Sequence, residues 1–165
     1  MILKNQVEWA LHCCAVLAGL PPERYLATKT LAEFHGVPKE YLSKALQALS
    51  QAGIVTSTLG PGGGYRLARA AADITFLDIV EAVEGKRSTF ACTEIRRNAP
   101  CYSDSGRPRP ECEKGPCAVA RIMWSADEAW RASLRAVRLS DLAGHLLEDP
   151  GPEALQRNLD WLLAQ

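Results

Sequence analysis

The sequence predicts a mainly α fold carrying one small β-hairpin. Three observations lead to it. Apolar residues recur at helical spacing in successive segments between residues 5 and 53. A β-branched run then faces a short partner across a glycine-rich turn, within residues 54–67. A long amphipathic stretch runs from about Cys117 to Val137.

The first helix is expected over residues 5–18, where Val7, Leu11, Cys14 and Leu17 share a face, and Gly19-Leu20-Pro21-Pro22 stops it. Thr28 or Thr30 is placed to cap a short second helix, Leu31-Ala32-Glu33-Phe34-His35, ending at Gly36. Pro38 suits the first turn of a third helix, since its missing N–H is not needed there. Tyr41, Leu42, Ala45, Leu46 and Leu49 form that helix's apolar stripe, up to Gly53. Ile54–Leu59 reads as a strand, Gly60-Pro61-Gly62-Gly63-Gly64 as a turn, and Tyr65-Arg66-Leu67 as the returning strand. Asp73 or Thr75 opens another helix, with Phe76, Leu77, Ile79, Val80 and Val83 apolar, closing at Gly85.

Residues 86–116 change character, being rich in Arg, Pro, Gly and Ser and holding three cysteines. The long helix follows, with Ile122, Trp124, Ala129, Trp130 and Leu134 among its apolar members. Two short amphipathic segments, Leu139–Leu147 and Leu155–Leu163, flank Asp149-Pro150-Gly151-Pro152. Three regions result: helices and a hairpin at 1–85, a cysteine loop at 86–117, and C-terminal helices at 118–165.

The chain has 165 residues, 47% apolar and 23% charged, which fits an ordinary soluble protein of one domain or a small domain with an appendage. No apolar run approaches the roughly 20 residues that cross a bilayer, so no membrane association is expected. Met1-Ile2-Leu3-Lys4 leads straight into the first helix without a secretory h-region, and a cytoplasmic location is expected. Net charge is zero, but residues 1–72 carry seven Lys/Arg against four Asp/Glu, and residues 73–165 twelve against fifteen. That is a weak electrostatic footprint for nucleic acid, so pattern must carry the reading.

Helix, short helix, tight turn, helix and glycine-tipped hairpin is the order of a winged helix-turn-helix. Gly36 permits the backbone angle of the inter-helix turn, and the third helix would enter the DNA major groove by its N-terminal end. Its outward positions are Lys39, Glu40, Ser43, Lys44 and Gln47, with Tyr41 also among the DNA-facing residues. In the wing, Gly62, Gly63 and Gly64 offer backbone N–H groups, while Arg66 and Arg69 add charge. The bland alternatives are a solvated helix face and a plain tight hairpin. A nucleotide-cradling loop is weaker, because no Lys-Ser/Thr pair follows the glycines.

Six cysteines in a chain without an export signal point to metal binding, cluster binding or thiol sensing rather than a disulfide framework. Cys92, Cys101, Cys112 and Cys117 lie in or beside the loop, at spacings of nine, eleven and five residues. Thiolates are the usual iron–sulfur ligands, and Cys117 falls at a helix N-terminus that favours thiolate. Zinc and a metal-free thiol switch stay open, although paired Cys-x2-Cys knuckles are missing. Cys13 and Cys14 read as small core residues, and His35 and His145 as structural. No Ser/His/Asp or Cys/His constellation accompanies the cysteines, so an enzyme is not expected.

Leu31-Ala32-Glu33, Tyr41-Leu42, Leu46-Gln47-Ala48-Leu49, Ala52-Gly53-Ile54-Val55, Gly60–Tyr65 and Ile74–Val83 together resemble the bacterial iron–sulfur cluster regulators, the IscR, NsrR and RsrR family of winged-helix transcription factors. The resemblance covers nearly the whole chain. It implies a homodimer on a roughly palindromic DNA operator, with the long helix serving dimerisation. Two departures stand out. Leu59 occupies a position that is basic in wing-reading members, which moves the expected base reading to Lys39–Gln47. Ala120 stands where a histidine three residues beyond the last loop cysteine would ligate the cluster.

The first helix offers a replacement. Glu8 and His12 are four residues apart and therefore neighbours on one helix face. Val7–Cys14 and Phe90–Arg96 look closest to the redox-sensing RsrR branch. That resemblance implies a cluster, expected to be 2Fe–2S, held by Cys92 and Cys117 of one subunit with Glu8 and His12 of its mate. Cys112 and then Cys101 are the substitutes among the cysteines. The expected function is a redox-responsive regulator, acting as a repressor. The rival is a cluster-free regulator switched by thiol oxidation or a small ligand.

Overall fold

Val7, Ala10, Cys14 and Leu17 fall three or four residues apart with Cys13 beside them, and the segment folds as helix α1, Asn5–Ala18, burying all five. A computed structural model describes residues 3–100, 115–142 and 151–165, with positions 145 and 148. The chain forms two compact units, Ile2–Lys86 with Leu134–Gln165, and Arg87–Ser133.

In the first unit, α1 is followed by α2 (Thr28–His35) and α3 (Lys39–Gln51). Gly36 takes the left-handed conformation at φ 63°, ψ 34°, and the Val37 N–H donates to the Ala32 carbonyl at 3.0 Å. This closes the turn that sends α3 away from α2. Leu42, Ala45, Leu46 and Leu49 bury one face of α3 against Leu31, Ala32, Cys13, Cys14 and Leu17. Tyr41, expected in that stripe, is instead 54% exposed, one helical step outside the buried face. Neither Thr28 nor Thr30 caps α2: Ala27 is the N-cap residue and makes no side-chain cap bond. Backbone pairing of the preceding residue, Leu26, explains this, because it brings the chain in extended up to the helix start. Pro38 sits one place earlier than expected, at the N-cap of α3.

The wing consists of β1 (Val55–Thr58) and β2 (Gly64–Leu67), antiparallel with Val55 opposite Leu67 and Thr58 opposite Gly64. Leu26 adds a third rung, its N–H donating to the Tyr65 carbonyl at 3.0 Å and its carbonyl accepting from the Tyr65 N–H at 2.8 Å. Gly64 lies so close to this rung that a Cβ would run into the Leu26 carbonyl, and one on Gly63 would strike the Thr58 carbonyl. Packing demands these two glycines.

Helix α4 (Phe76–Glu84) begins at a capping box. The Thr75 hydroxyl accepts from the Asp78 N–H at 3.0 Å, and Asp78 accepts from the Thr75 N–H at 2.9 Å. The C-terminal residues return to this unit. The Leu139 N–H donates to the Ile74 carbonyl at 2.8 Å, and Leu139 and Leu162 are buried in the core. Leu162 belongs to α6 (Pro152–Leu163), which starts slightly before the expected Leu155 because Pro152 suits a first helical turn. The stretch 134–165 therefore groups with the winged helix, where the sequence reading kept 118–165 apart. The segment Leu139–Leu147 is described continuously through Leu142 only.

The second unit contains a short 3-10 turn, Ile95–Asn98, and most of helix α5, Ala118–Ala136. Asp127 is buried and accepts from the Arg131 Nε at 3.1 Å and the Thr89 N–H at 3.4 Å. Arg131 also donates to the Arg87 carbonyl, and the Trp124 indole N–H to the Phe90 carbonyl at 3.3 Å. These bonds pin residues 87–90 along α5. Its opposite face leaves Val119 and Ile122 exposed, Ile122 by 69%. Among the described residues, no helix is long and apolar enough to cross a membrane.

Candidate nucleic-acid interface and metal site

The burial of one face of α3 leaves Lys39, Glu40, Tyr41, Lys44 and Gln47 exposed together, with Ser43 half-buried between them. The Ser43 hydroxyl donates to the Lys39 carbonyl at 2.9 Å, so its oxygen is left to accept. The Lys44 ammonium lies 5.7 Å from the Tyr41 ring centre. Both residues therefore present one continuous surface, cationic and aromatic.

The wing is less available than its sequence promised. Arg66 donates to the Pro22 carbonyl at 3.0 Å and stacks 5.2 Å from the Tyr25 ring centre, holding the α1–α2 loop to the hairpin. Arg69 donates to the Asp73 carbonyl at 2.8 Å and meets Asp78 at 3.5 Å. The Gly63 N–H, expected bare, donates to the Gly60 carbonyl at 2.9 Å. Gly62 stays exposed to solvent, in open space, and Leu59 projects from the strand end, 99% exposed.

On α1, Glu8 and His12 are both exposed on the face away from Cys13 and Cys14. They line a cavity of about 350 Å³ with Leu3, Val7, Leu11, Phe76 and Leu142. A smaller one of about 210 Å³ joins them to Trp9, His35 and Val37. The His12 and His35 rings lie 5.8 Å apart. Burial, and then the neighbouring His12, lowers the His35 pKa, and the His35 Nε2 finds no partner among the described residues. The sequence reading gave His35 only a structural role. Its place beside His12 depends on the α2 turn and is invisible in residue spacing.

Cys92 and Cys117 belong to the other unit and are half-buried, free thiols. The Cys92 sulfur accepts from the Glu94 N–H at 3.4 Å. Cys117 stands immediately before α5, and the N–H groups of Ala120 and Val119, then Arg96, draw its thiol below the ordinary range. In contrast, burial pushes the Cys13 thiol up to about 12, and the Cys14 thiol higher still. These two are core residues, packed against α3. Ala120, at the position of the expected histidine, is fully buried. Cys101 and Cys112 lie outside the described residues. Among the described residues, no three His, Cys, Asp or Glu side chains gather at one point.

The donor set thus comes as two pairs on separate units: two sulfurs supplied with N–H donors, and an exposed carboxylate with an imidazole. Soft thiolates and an imidazole fit an iron–sulfur cluster, and N–H groups aimed at sulfur are the interactions that steady one. Glu94 and Arg96 are not among the residues expected at the site, and their signal in the sequence is a charged pair beside Cys92. Asp127 and Arg131 are likewise unexpected, though legible as an i,i+4 pair on the long helix.

A helix-turn-helix with an exposed polar helix face and a glycine-tipped wing defines a winged-helix DNA-binding regulator. The chain belongs to the Rrf2 family, described as iron-dependent transcriptional regulators, whose model matches residues 3–145. It is 33% identical to protein rrf2 of Nitratidesulfovibrio vulgaris over 121 residues, covering 73% of this chain and 72% of that protein. To the regulator NsrR of Geobacillus kaustophilus it is 30% identical over 149 residues, covering 90% and 91%. The solved structure of CymR, the global cysteine regulator of B. subtilis, matches with a TM-score of 0.66 at 24% identity, covering 88% of this chain and 98% of that one. T. potens IscR matches with a TM-score of 0.65 at 23% identity, covering 90% of each. These likenesses establish the fold. The relatives carry the names of transcriptional regulators and not of enzymes.

Proposed function

We propose that this regulator works as a homodimer whose DNA binding responds to a 2Fe–2S cluster held across the subunit interface, repressing transcription in one cluster state. Cys92 and Cys117 of one subunit, with Glu8 and His12 of the partner subunit, would hold it. The observation that carries this reading is the division of donors: two sulfurs with backbone N–H groups on one unit, a carboxylate–imidazole pair on the other. When bound, the cluster supplies a one-electron change in charge. The chain's part is to hold the sulfurs, present Glu8 and His12, and connect α1 to the helix-turn-helix through the Cys13–Cys14 core.

DNA contact is assigned chiefly to Lys39, Glu40, Tyr41, Ser43, Lys44 and Gln47, with Gly62 on the sugar–phosphate backbone and Gly63, its N–H held by Gly60, shaping the wing tip. Arg66 supports the wing and approaches DNA as charge. A second reading, a thiol switch without a cluster, draws on the half-exposed Cys117 and its lowered pKa. Anaerobic purification followed by iron, sulfide and visible absorbance decides between them. The cluster reading expects a coloured wild type and an iron-poor His12→Ala variant. A colourless, iron-free wild type that binds its operator and answers peroxide would favour the thiol switch.

A further inference from the structure

We infer that Glu94 and Arg96 are a positioning pair that holds Cys92 and Cys117 together as one two-sulfur half-site before any cluster is present. Glu94 is the sole non-glycine among the described residues with positive φ, at 53°. That conformation costs about 1 kcal/mol or more, so the surroundings must enforce it. It turns the Glu94 N–H onto the Cys92 sulfur and its carboxylate towards Arg96. The Arg96 Nε donates to Glu94 Oε2 at 2.6 Å. Its terminal nitrogen donates to the Gly115 carbonyl at 2.7 Å, two residues before Cys117. Both side chains are more than two-thirds buried, which shields these bonds from water.

One guanidinium therefore ties together stretches 19 residues apart, with a cysteine two residues from each anchor. Cys117 is further fixed by the N–H groups at the start of α5. The fork geometry matters here, because a lysine keeps the charge but cannot reach both acceptors along fixed directions. With this tie, the residues between 97 and 114 need not set the distance between the two sulfurs. The inference rests on the proposed ligand pair, but its first test needs no cluster.

In metal-free, full-length protein carrying Cys101→Ser and Cys112→Ser, a short thiol-bridging reagent such as dibromobimane should link Cys92 to Cys117 within one chain. Arg96→Gln and Arg96→Lys should both slow that link several-fold relative to single-thiol alkylation of the same variant, with melting temperature unchanged. If Arg96→Gln misfolds, Glu94→Gln serves, with the same slowing expected. In cluster-loaded protein with native cysteines, Arg96→Gln should lose iron and sulfide to a chelator on the order of 10-fold faster. Its reduction potential should fall, because a nearby cation favours the more negative reduced state. Arg96→Lys should restore the potential but not the retention. Equal linking rates in wild type and the Arg96 variants would overturn the inference while leaving the cluster reading standing. Arg96-dependent linking in a wild type that never holds iron would sink the cluster reading and leave the tie.

Discussion

The two units are held by different forces. Ile2–Lys86 with Leu134–Gln165 contains almost every buried residue, from Val7 and Leu17 through Leu46 and Ile79 to Leu162. Within Arg87–Ser133, only Ala120 and Asp127 are buried among the described residues. The first unit rests on apolar burial, which is non-directional and spread over many side chains. The second rests on a few directed bonds: Asp127 to Thr89 and Arg131, Trp124 to Phe90, Arg96 to Glu94 and Gly115. A DNA-reading scaffold gains from the first arrangement, while a segment with so few buried apolar contacts opens at lower cost.

Thiol chemistry offers the largest contrast. The Cys13 thiol is pushed up to about 12, so its thiolate at pH 8 is on the order of a thousandfold scarcer than at an ordinary cysteine. Mass mapping after brief alkylation of native, metal-free protein should find Cys92 and Cys117 modified and Cys13 and Cys14 intact. Early labelling of Cys13 would break the contrast. Next comes Leu46→Ala, which should cost about 2–5 kcal/mol in denaturant unfolding by opening a cavity in the α1–α3 core. Asp127→Asn should instead leave that midpoint nearly unchanged and speed amide exchange at residues 87–90. A matching loss of global stability would mean that both units melt as one.

Within the winged helix, the sharper comparison is between α3 and the wing. Gln47→Ala should weaken operator binding by about 1–3 kcal/mol in a titration at fixed salt, if Gln47 reads a base edge. Arg66→Gln should weaken it less and loosen the hairpin, since Arg66 is tied to Pro22 and Tyr25. The reverse ranking would return base reading to the wing. The smallest effect is a gain. Leu59→Lys adds a cation at a fully exposed wing position and should tighten binding across sequences, with a salt slope steeper by about one.

The helices, the hairpin and the exposed face of α3 were legible in the sequence because each is written in local periodicity or in a glycine. Tyr41 fitted both the apolar stripe and the DNA-facing set, because a stripe drawn by spacing alone does not say where burial ends. The ties of Arg66 and Arg69 were hidden, since their acceptors are backbone carbonyls and Asp78, fixed by tertiary approach. Cys92 and Cys117 could be singled out by type, but the Glu94–Arg96–Gly115 tie could not. It depends on one left-handed residue and a bond across 19 positions. The return of Leu139 and Leu162 to the first core was equally non-local.

Whether two subunits share one cluster is decided by a mixed dimer. One chain would carry Glu8→Ala and His12→Ala, the other Cys92→Ser and Cys117→Ser, each with its own affinity tag for tandem anaerobic purification. Ligands drawn from both subunits leave one complete site in the mixed dimer and none in either variant homodimer. The mixed dimer should carry half the wild-type iron and sulfide, with the wild-type absorbance shape. A mixed dimer devoid of iron beside an iron-loaded wild type would contradict it.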